Sequence, residues 1–181
     1  MSDRYKYPRT VHLPWSPGVS SDDLVKGVPQ AFLQNEVIVT EKMDGENTSI
    51  YPDWLHARSI DSRQHPSRSG GKGLQAQIGH QIPDGFRLCG ENLFARHSIP
   101  YEGLEGYFYL FAVYDDANRC LDWDATAAWA ERLAIPLVRT MYRGPYDEKV
   151  LRKLDFDADK VEGYVVRTVK GFAHGDFSDH V

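Results

Sequence analysis

The sequence has few cysteines and no long apolar run. Cys89 and Cys120 are its only cysteines and form no CxxC pair, so neither a disulfide framework nor a zinc site is predicted. No apolar run approaches the length of a membrane span, and the N-terminus lacks the apolar core of a signal peptide. These absences predict a soluble protein of a reducing cytoplasm that has no membrane partner.

The sequence also has no excess of positive charge. Its 21 Lys and Arg residues face 26 Asp and Glu residues, which gives a net charge of -5. This balance argues against a protein coated in positive potential, the usual sign of nonspecific nucleic-acid binding. Any nucleic-acid partner must therefore meet a local basic patch. Arg58, Arg63, Arg68 and Lys72, with His65 between them, form one candidate, and a solvated loop is an equally good interpretation of it.

Length and patterning predict one domain, residues 1–181, with its own core. Short runs of β-branched and aromatic residues are separated by turn signals, and few segments have helical spacing. Strands are predicted at 36–42, 48–51, 54–59, 86–91, 106–115 and 161–169, and helices at 74–80, 124–133 and 147–154. The pattern predicts an α+β fold of mostly antiparallel sheets with a few short helices.

Some connections are also predictable. Prolines and a glycine in residues 1–20 predict an irregular arm laid over the domain, followed by a short helix capped by Ser20 or Ser21. The first three strands are expected to form a meander with its first turn at Asp44-Gly45, and residues 62–73 an exposed loop. The aromatic-rich strand 106–115 is expected to be central and covered on both faces.

The most informative stretch is Glu41-Lys42-Met43-Asp44-Gly45-Glu46-Asn47, directly after the apolar run Val37-Ile38-Val39. A lysine at the end of such a strand can lose solvent on the strand side, while its neighbours organise a phosphate and a metal. Lysine attacks phosphorus only as the neutral amine, which desolvation and nearby cations favour. An isolated lysine there is usually a solvated edge residue, so the neighbouring motifs decide in favour of a nucleophile.

Five short motifs follow one another between residues 36 and 168. They are Lys42-Met43-Asp44-Gly45, Ala57-Arg58-Ser59, Cys89-Gly90-Glu91, Phe111-Ala112-Val113-Tyr114-Asp115 and Glu162-Gly163-Tyr164-Val165-Val166-Arg167. In order and local sequence they resemble the nucleotidyltransferase domain of ATP-dependent RNA ligases, most closely the branch that seals nicks in duplex RNA. The superfamily also holds DNA ligases and mRNA-capping enzymes. The resemblance implies the ATP-grasp-like ligase adenylation fold.

The resemblance implies a role for each motif. Lys42 is the catalytic residue that takes AMP from ATP, and Arg58 contacts phosphate. Glu91 accepts hydrogen bonds from the ribose hydroxyls, Tyr114 stacks on adenine, and Glu162 helps to hold Mg²⁺ or Mn²⁺. The other residues expected to contact the nucleotide are Glu41, Asp44, Asn47 and Arg167.

Several of these residues also have an ordinary structural explanation. Arg58 fits a surface ion pair, Tyr114 fits a core position, and Asn47 fits a turn. Glu91 follows apolar residues and a glycine, and a carboxylate there is awkward to bury without a functional reason.

The implied activity is that of an ATP-dependent RNA ligase of RNA repair. The lysine becomes adenylylated, AMP passes to an RNA 5′-phosphate, and a 3′-hydroxyl displaces it to form the phosphodiester. RNA ends or nicked RNA are the implied partners. A capping-type guanylyltransferase with GTP, or a non-catalytic nucleotide- or RNA-binding module, remain the alternatives.

One departure from the family concerns the C-terminal end. The family has two closely spaced lysines some twenty residues after the glutamate motif, whereas Lys170 is the only lysine after Glu162 and lies eight residues on. We therefore expect a domain truncated before its last lysine motif, with weakened self-adenylylation.

Overall fold

The computed structural model describes residues 3–17, 19, 27–61, 68–94, 101–159 and 161–181. The helices within these ranges are α1 Gln30–Gln34, α2 Ser69–Ile78, α3 Trp123–Leu133, α4 Glu148–Leu151 and α5 Phe177–His180. The strands are β1 Glu36–Lys42, β2 Glu46–Ile50, β3 Leu55–Ala57, β4 Arg87–Asn92, β5 Phe108–Tyr114, β6 Arg119–Cys120, β7 Thr140–Pro145, β8 Gly163–Thr168 and β9 Phe172–Ala173. None of the described helices has both the length and the apolar character needed to cross a bilayer.

The strands form two sheets. The smaller has the order β7-β1-β8 and the larger the order β3-β2-β4-β5-β6-β9. Every pair of neighbouring named strands is antiparallel. The predicted α+β class, with mostly antiparallel sheets and a few short helices, is therefore confirmed.

β1 is apolar without alternation because both of its faces are buried. Val37 and Val39 pack on one side with Phe32 of α1. Ile38 points the other way and packs towards Tyr109 and Phe111 of the larger sheet. The small sheet therefore contacts the large one through the face that also carries Lys42.

The main hydrophobic core lies on the face of the larger sheet that is turned away from the small sheet. Leu88 and Leu110 of the sheet pack there against Leu133 of α3. Asp122 caps α3 by accepting a hydrogen bond from the Ala125 N–H at 2.8 Å. β5 lies between β4 and β6 and has apolar clusters on both faces, as the sequence predicted.

Two predicted connections are wrong. β1 belongs to the small sheet, so Asp44-Gly45 carries the chain from one sheet to the other instead of closing a meander turn. Helix α2 begins at Ser69, inside the predicted loop 62–73, because burial of Ile78 and partial burial of Leu74 against the core offset the helix cost of its glycines. The helix predicted after Ser20 or Ser21, and the basic residues Arg63 and His65, lie outside the described residues.

Candidate active site

The two sheets enclose a cavity of about 290 Å³, called here the intersheet cleft. Thr40, Lys42, Val165 and Arg167 line it from the small sheet, and Asn47, Arg58, Glu91 and Phe111 line it on or beside the large sheet. The register of β1 and β8 explains the first group, because the side chains of paired residues share one face. Pairing of Thr40 with Val165, and of Lys42 with Gly163, aims the lysine at the large sheet.

Lys42 is the last residue of β1 and is held beside Glu162. Its Nζ lies 2.5 Å from Glu162 Oε2, and the Glu162 N–H donates to the Lys42 carbonyl at 3.0 Å. The two side chains are 44% and 49% exposed, so the predicted loss of solvent is only partial. The amine therefore lies at the mouth of the cleft, and its ion-pair partner is a carboxylate.

Glu91 lies on β4 and connects the lysine loop to the large sheet. Its Oε1 accepts a hydrogen bond from the Gly45 N–H at 3.0 Å. Burial raises the pKa of Glu91 to about 7, although the Gly45 N–H and the Lys42 charge oppose that rise. A carboxylate that ionises near neutral pH inside the cleft suits the binding of hydroxyl donors.

The raised pKa of Glu91 predicts a pH-dependent stability. Between the ordinary value of 4.5 and the folded value of about 7, the unfolded carboxyl releases its proton while the folded one retains it. The free energy of unfolding should therefore fall as pH rises through this window, on the order of 3 kcal/mol in total. We expect Glu91→Gln to remove this contribution, measured as the difference in denaturant unfolding between the two proteins from pH 4.5 to 8. Parallel profiles for wild type and variant would contradict the assignment.

Two polar atoms in the cleft lack a partner among the described residues. Asn47 Oδ1 and Arg58 Nε are buried, and no hydrogen bond reaches either atom from the part of the chain that the structure describes. Buried polar groups are nearly always paired, so an acceptor and a donor without partners in one cavity suit a bound molecule. The expected placement of Asn47 and Arg58 beside Lys42 is thus observed, and their contacts with a nucleotide stay a prediction.

Tyr114 is not among the residues that line the cleft, and its predicted stacking on the base stays a prediction. It is fully buried, with the Arg87 guanidinium 4.0 Å from its ring centroid. The β4–β5 register shifts between Cys89 and Gly90, which leaves Phe111 unpaired as an extra residue in β5. The bulge turns Phe111 to the face of the sheet that also carries Ala112 and Tyr114, and Phe111 lines the cleft. No sequence signal marks the bulge, and Phe111 was not among the residues predicted to contact the nucleotide.

The remaining predicted residues have mixed positions. Glu41 borders the cleft, but its carboxylate is 2.9 Å from Arg139 Nε. The Asp44 N–H donates to the Tyr101 hydroxyl at 2.7 Å. Arg167 lines the cleft, and its guanidinium donates to backbone carbonyls, including that of Leu121 at 2.9 Å. Tyr101, which sequence analysis missed, helps to hold the lysine loop.

Glu162 suits a divalent cation only as a single protein ligand, with water and phosphate oxygens completing the coordination. Among the described residues no group of three His, Cys, Asp or Glu side chains is placed to hold a metal. Mg²⁺ and its substitutes bind through one or two carboxylates, with water and phosphate oxygens as the other ligands. Glu162, half exposed at the mouth of the cleft, fits that ligand set.

The structure thus places a lysine at the mouth of a cleft between two antiparallel sheets. Residues 35–181 match the sequence profile of the family described as RNA ligase. The chain therefore belongs to the RNA ligase family, which confirms the family named from its motifs, while the branch that seals nicks in duplex RNA stays a prediction. No curated protein matches the sequence.

Solved structures of the RNA ligase from Naegleria gruberi share the fold. A lysine-to-alanine mutant with ATP and Mn is 19% identical, with 94% of this chain and 59% of that chain covered and a TM-score of 0.62. A mutant with AMP and Mn is 19% identical, with 84% and 55% covered and a TM-score of 0.61. The ligase with PPi is 17% identical, with 99% and 63% covered and a TM-score of 0.57. The chain thus spans 55–63% of the length of these relatives.

Proposed function

We propose that this chain is the nucleotidyltransferase domain of an ATP-dependent RNA ligase and that Lys42 is its nucleophile. In the first step the Lys42 Nζ bonds to the α-phosphorus of ATP. The bond between that phosphorus and the bridging oxygen breaks, and pyrophosphate leaves with the electron pair. The ammonium must lose one proton before the attack, and Glu162 Oε2, at 2.5 Å, is within reach to accept it; the nitrogen loses a second proton to solvent once the N–P bond has formed.

The observation that carries the proposal is the composition of the intersheet cleft. One cavity holds a strand-end lysine, the partly buried carboxyl of Glu91, and two polar atoms, Asn47 Oδ1 and Arg58 Nε, that have no partner among the described residues. Glu91 would accept hydrogen bonds from the ribose hydroxyls, and Arg58 would neutralise charge on the phosphates. The Naegleria ligase structures with ATP or AMP have the same fold, which supports a nucleotide in this cavity.

A divalent cation would be held by Glu162. It would supply neutralisation of the phosphate charge that develops during transfer. Mn accompanies the nucleotide in the Naegleria structures, and Mg²⁺ is our proposal for this chain.

The later steps use RNA. The AMP held on Lys42 passes to the 5′-phosphate of an RNA strand, and the lysine amine is released. A neighbouring 3′-hydroxyl then attacks that phosphate, forms the phosphodiester and releases AMP. Family membership supports RNA as the substrate, and we extend the proposal to nicked duplex RNA and to RNA repair in the cytoplasm.

Intact mass spectrometry tests the first step. The protein is incubated with Mg²⁺ and either ATP or GTP, and we expect one added AMP with ATP and no adduct with GTP. A GMP adduct would indicate a capping-type guanylyltransferase. Nucleotide binding without any adduct would indicate a non-catalytic module. A purified adenylylated protein, mixed with nicked duplex or single-stranded RNA, then tests the choice of substrate.

The two aromatics of β5 allow a paired prediction. Phe111→Leu keeps an apolar side chain but removes the flat face that borders the cleft, so ATP affinity should fall about tenfold, the loss typical of one stacked base. Tyr114→Phe removes only a buried hydroxyl that has no hydrogen-bond partner among the described residues, and ATP affinity should not change. Equilibrium titration measures both. The reverse order of effects would make Tyr114 the stacking residue.

A further inference from the structure

Residues 3–17, called here the arm, cross the intersheet cleft. They form no helix or strand, as the prolines predict. Arm residues that line the cleft together with Lys42 are Tyr7, Pro8, Arg9, Thr10 and His12. The profile match to the RNA ligase family begins at residue 35, so the arm lies outside the matched segment.

One end of the arm is anchored on the large sheet. The half-buried Tyr7 packs edge-on against Phe111 and Phe177, with ring centroids 5.2 and 5.3 Å apart. The Tyr5 N–H donates to the Tyr51 hydroxyl at 3.0 Å. These contacts place the chain beside the aromatic that borders the cleft.

The other end is anchored on the small sheet. Trp15 Nε1 donates to the Tyr164 hydroxyl of β8 at 3.0 Å, and the Arg152 guanidinium lies 4.5 Å from the Trp15 ring centroid. The segment between Tyr7 and Trp15 therefore bridges the two sheets. Because both ends are fixed, the backbone of this segment is held across the cleft before a ligand binds, which reduces the ordering cost of binding.

The charges within the cleft indicate what the segment does. The phosphates of ATP form a polyanion, and the cleft already presents cations to it: Lys42, which pairs with Glu162, Arg167, which donates to carbonyls, and Arg58. The arm adds Arg9 and His12 to the same cavity. Arginine suits this task because its planar guanidinium forms paired, charge-assisted hydrogen bonds with phosphate oxygens.

We propose that the arm is the phosphate-binding wall of the nucleotide site, with Arg9 in contact with the phosphates of ATP and His12 beside it. The inference rests on the proposed function of the cleft and adds two binding residues to it.

The test compares the affinities of ATP and adenosine, which share the base and ribose and differ in the phosphates. Both are measured at equilibrium in a Lys42→Ala background, where no covalent adduct forms, with and without Arg9→Ala. We expect Arg9→Ala to weaken ATP at least about tenfold, the loss of one charge-assisted hydrogen bond, and to leave adenosine unchanged. His12→Ala should weaken ATP in the same selective way, and Arg9→Lys should restore part of the ATP affinity.

Lys6→Ala is the matched control, because Lys6 is an exposed cation of the same arm that does not line the cleft. It should bind ATP as the Lys42→Ala parent does. Equal losses for ATP and adenosine in Arg9→Ala would mean that the arm only supports the fold, and unchanged affinities would mean that Arg9 does not touch the phosphates. Either result overturns the inference and leaves the proposed function standing. A parent that binds no ATP would overturn both.

Discussion

Lys42→Ala should abolish the covalent AMP adduct completely. The variant lacks the only atom that we assign to the bond with phosphorus, and the methyl group that remains cannot replace it. Lys42 is half exposed at the end of β1, so its side chain contributes little to the core and the fold should persist. Intact mass after incubation with ATP and Mg²⁺ measures the adduct, and circular dichroism checks the fold.

Lys153→Ala is the control for that experiment. Lys153 is an exposed lysine just beyond α4 and does not line the cleft. It should accumulate the adduct at the wild-type rate. An AMP adduct that survives in Lys42→Ala would assign the nucleophile to another residue and refute the proposed function.

Gly90→Ala should destabilise the protein by about 3 kcal/mol, the cost of overpacking a tight site. A Cβ at this position would lie only 2.6 Å from the Tyr109 carbonyl oxygen and closer still to the Phe108 ring. The carbonyl belongs to the neighbouring strand and cannot move without breaking the β4–β5 ladder. For a chain of this size we expect the Tm to fall by roughly 6–12 °C in thermal unfolding.

Gly73→Ala is the matched substitution. Gly73 lies within α2, and a Cβ there would meet nothing within 4 Å. The exchange should stabilise the protein by about 0.5–1 kcal/mol, because alanine favours the helix and glycine does not. Equal melting temperatures for Gly90→Ala and wild type would contradict the close approach of Phe108.

In the sequence, Gly90 stands out only as part of the motif Cys89-Gly90-Glu91, directly before a candidate ribose-binding carboxylate. The structure adds a packing reason, because the glycine lets the Phe108 ring lie against β4. The same motif therefore serves the core on one face of the sheet and the cleft on the other. Strand alternation makes this possible, since Glu91 and Gly90 point in opposite directions.

Local patterns predicted most strands because they depend on neighbouring residues. β1 has the predicted bounds, and α3 begins one residue before its predicted start. Strand β7, which the sequence did not predict, exists because it pairs with β1 from more than a hundred residues away. No local pattern contains that partner, and the pairing supplies the hydrogen bonds that an isolated segment lacks.

The sequence by itself determined three features: a candidate nucleophilic lysine after an apolar strand, the ordered motifs that indicate the family, and an α+β fold. These features follow from residue types and spacing, which act locally. Only the tertiary structure decided that Phe111 and not Tyr114 lines the cleft, and that the arm crosses it beside Lys42. A bulge and a long-range packing contact made those choices, because both depend on which strand or side chain lies opposite, and the sequence does not record that directly.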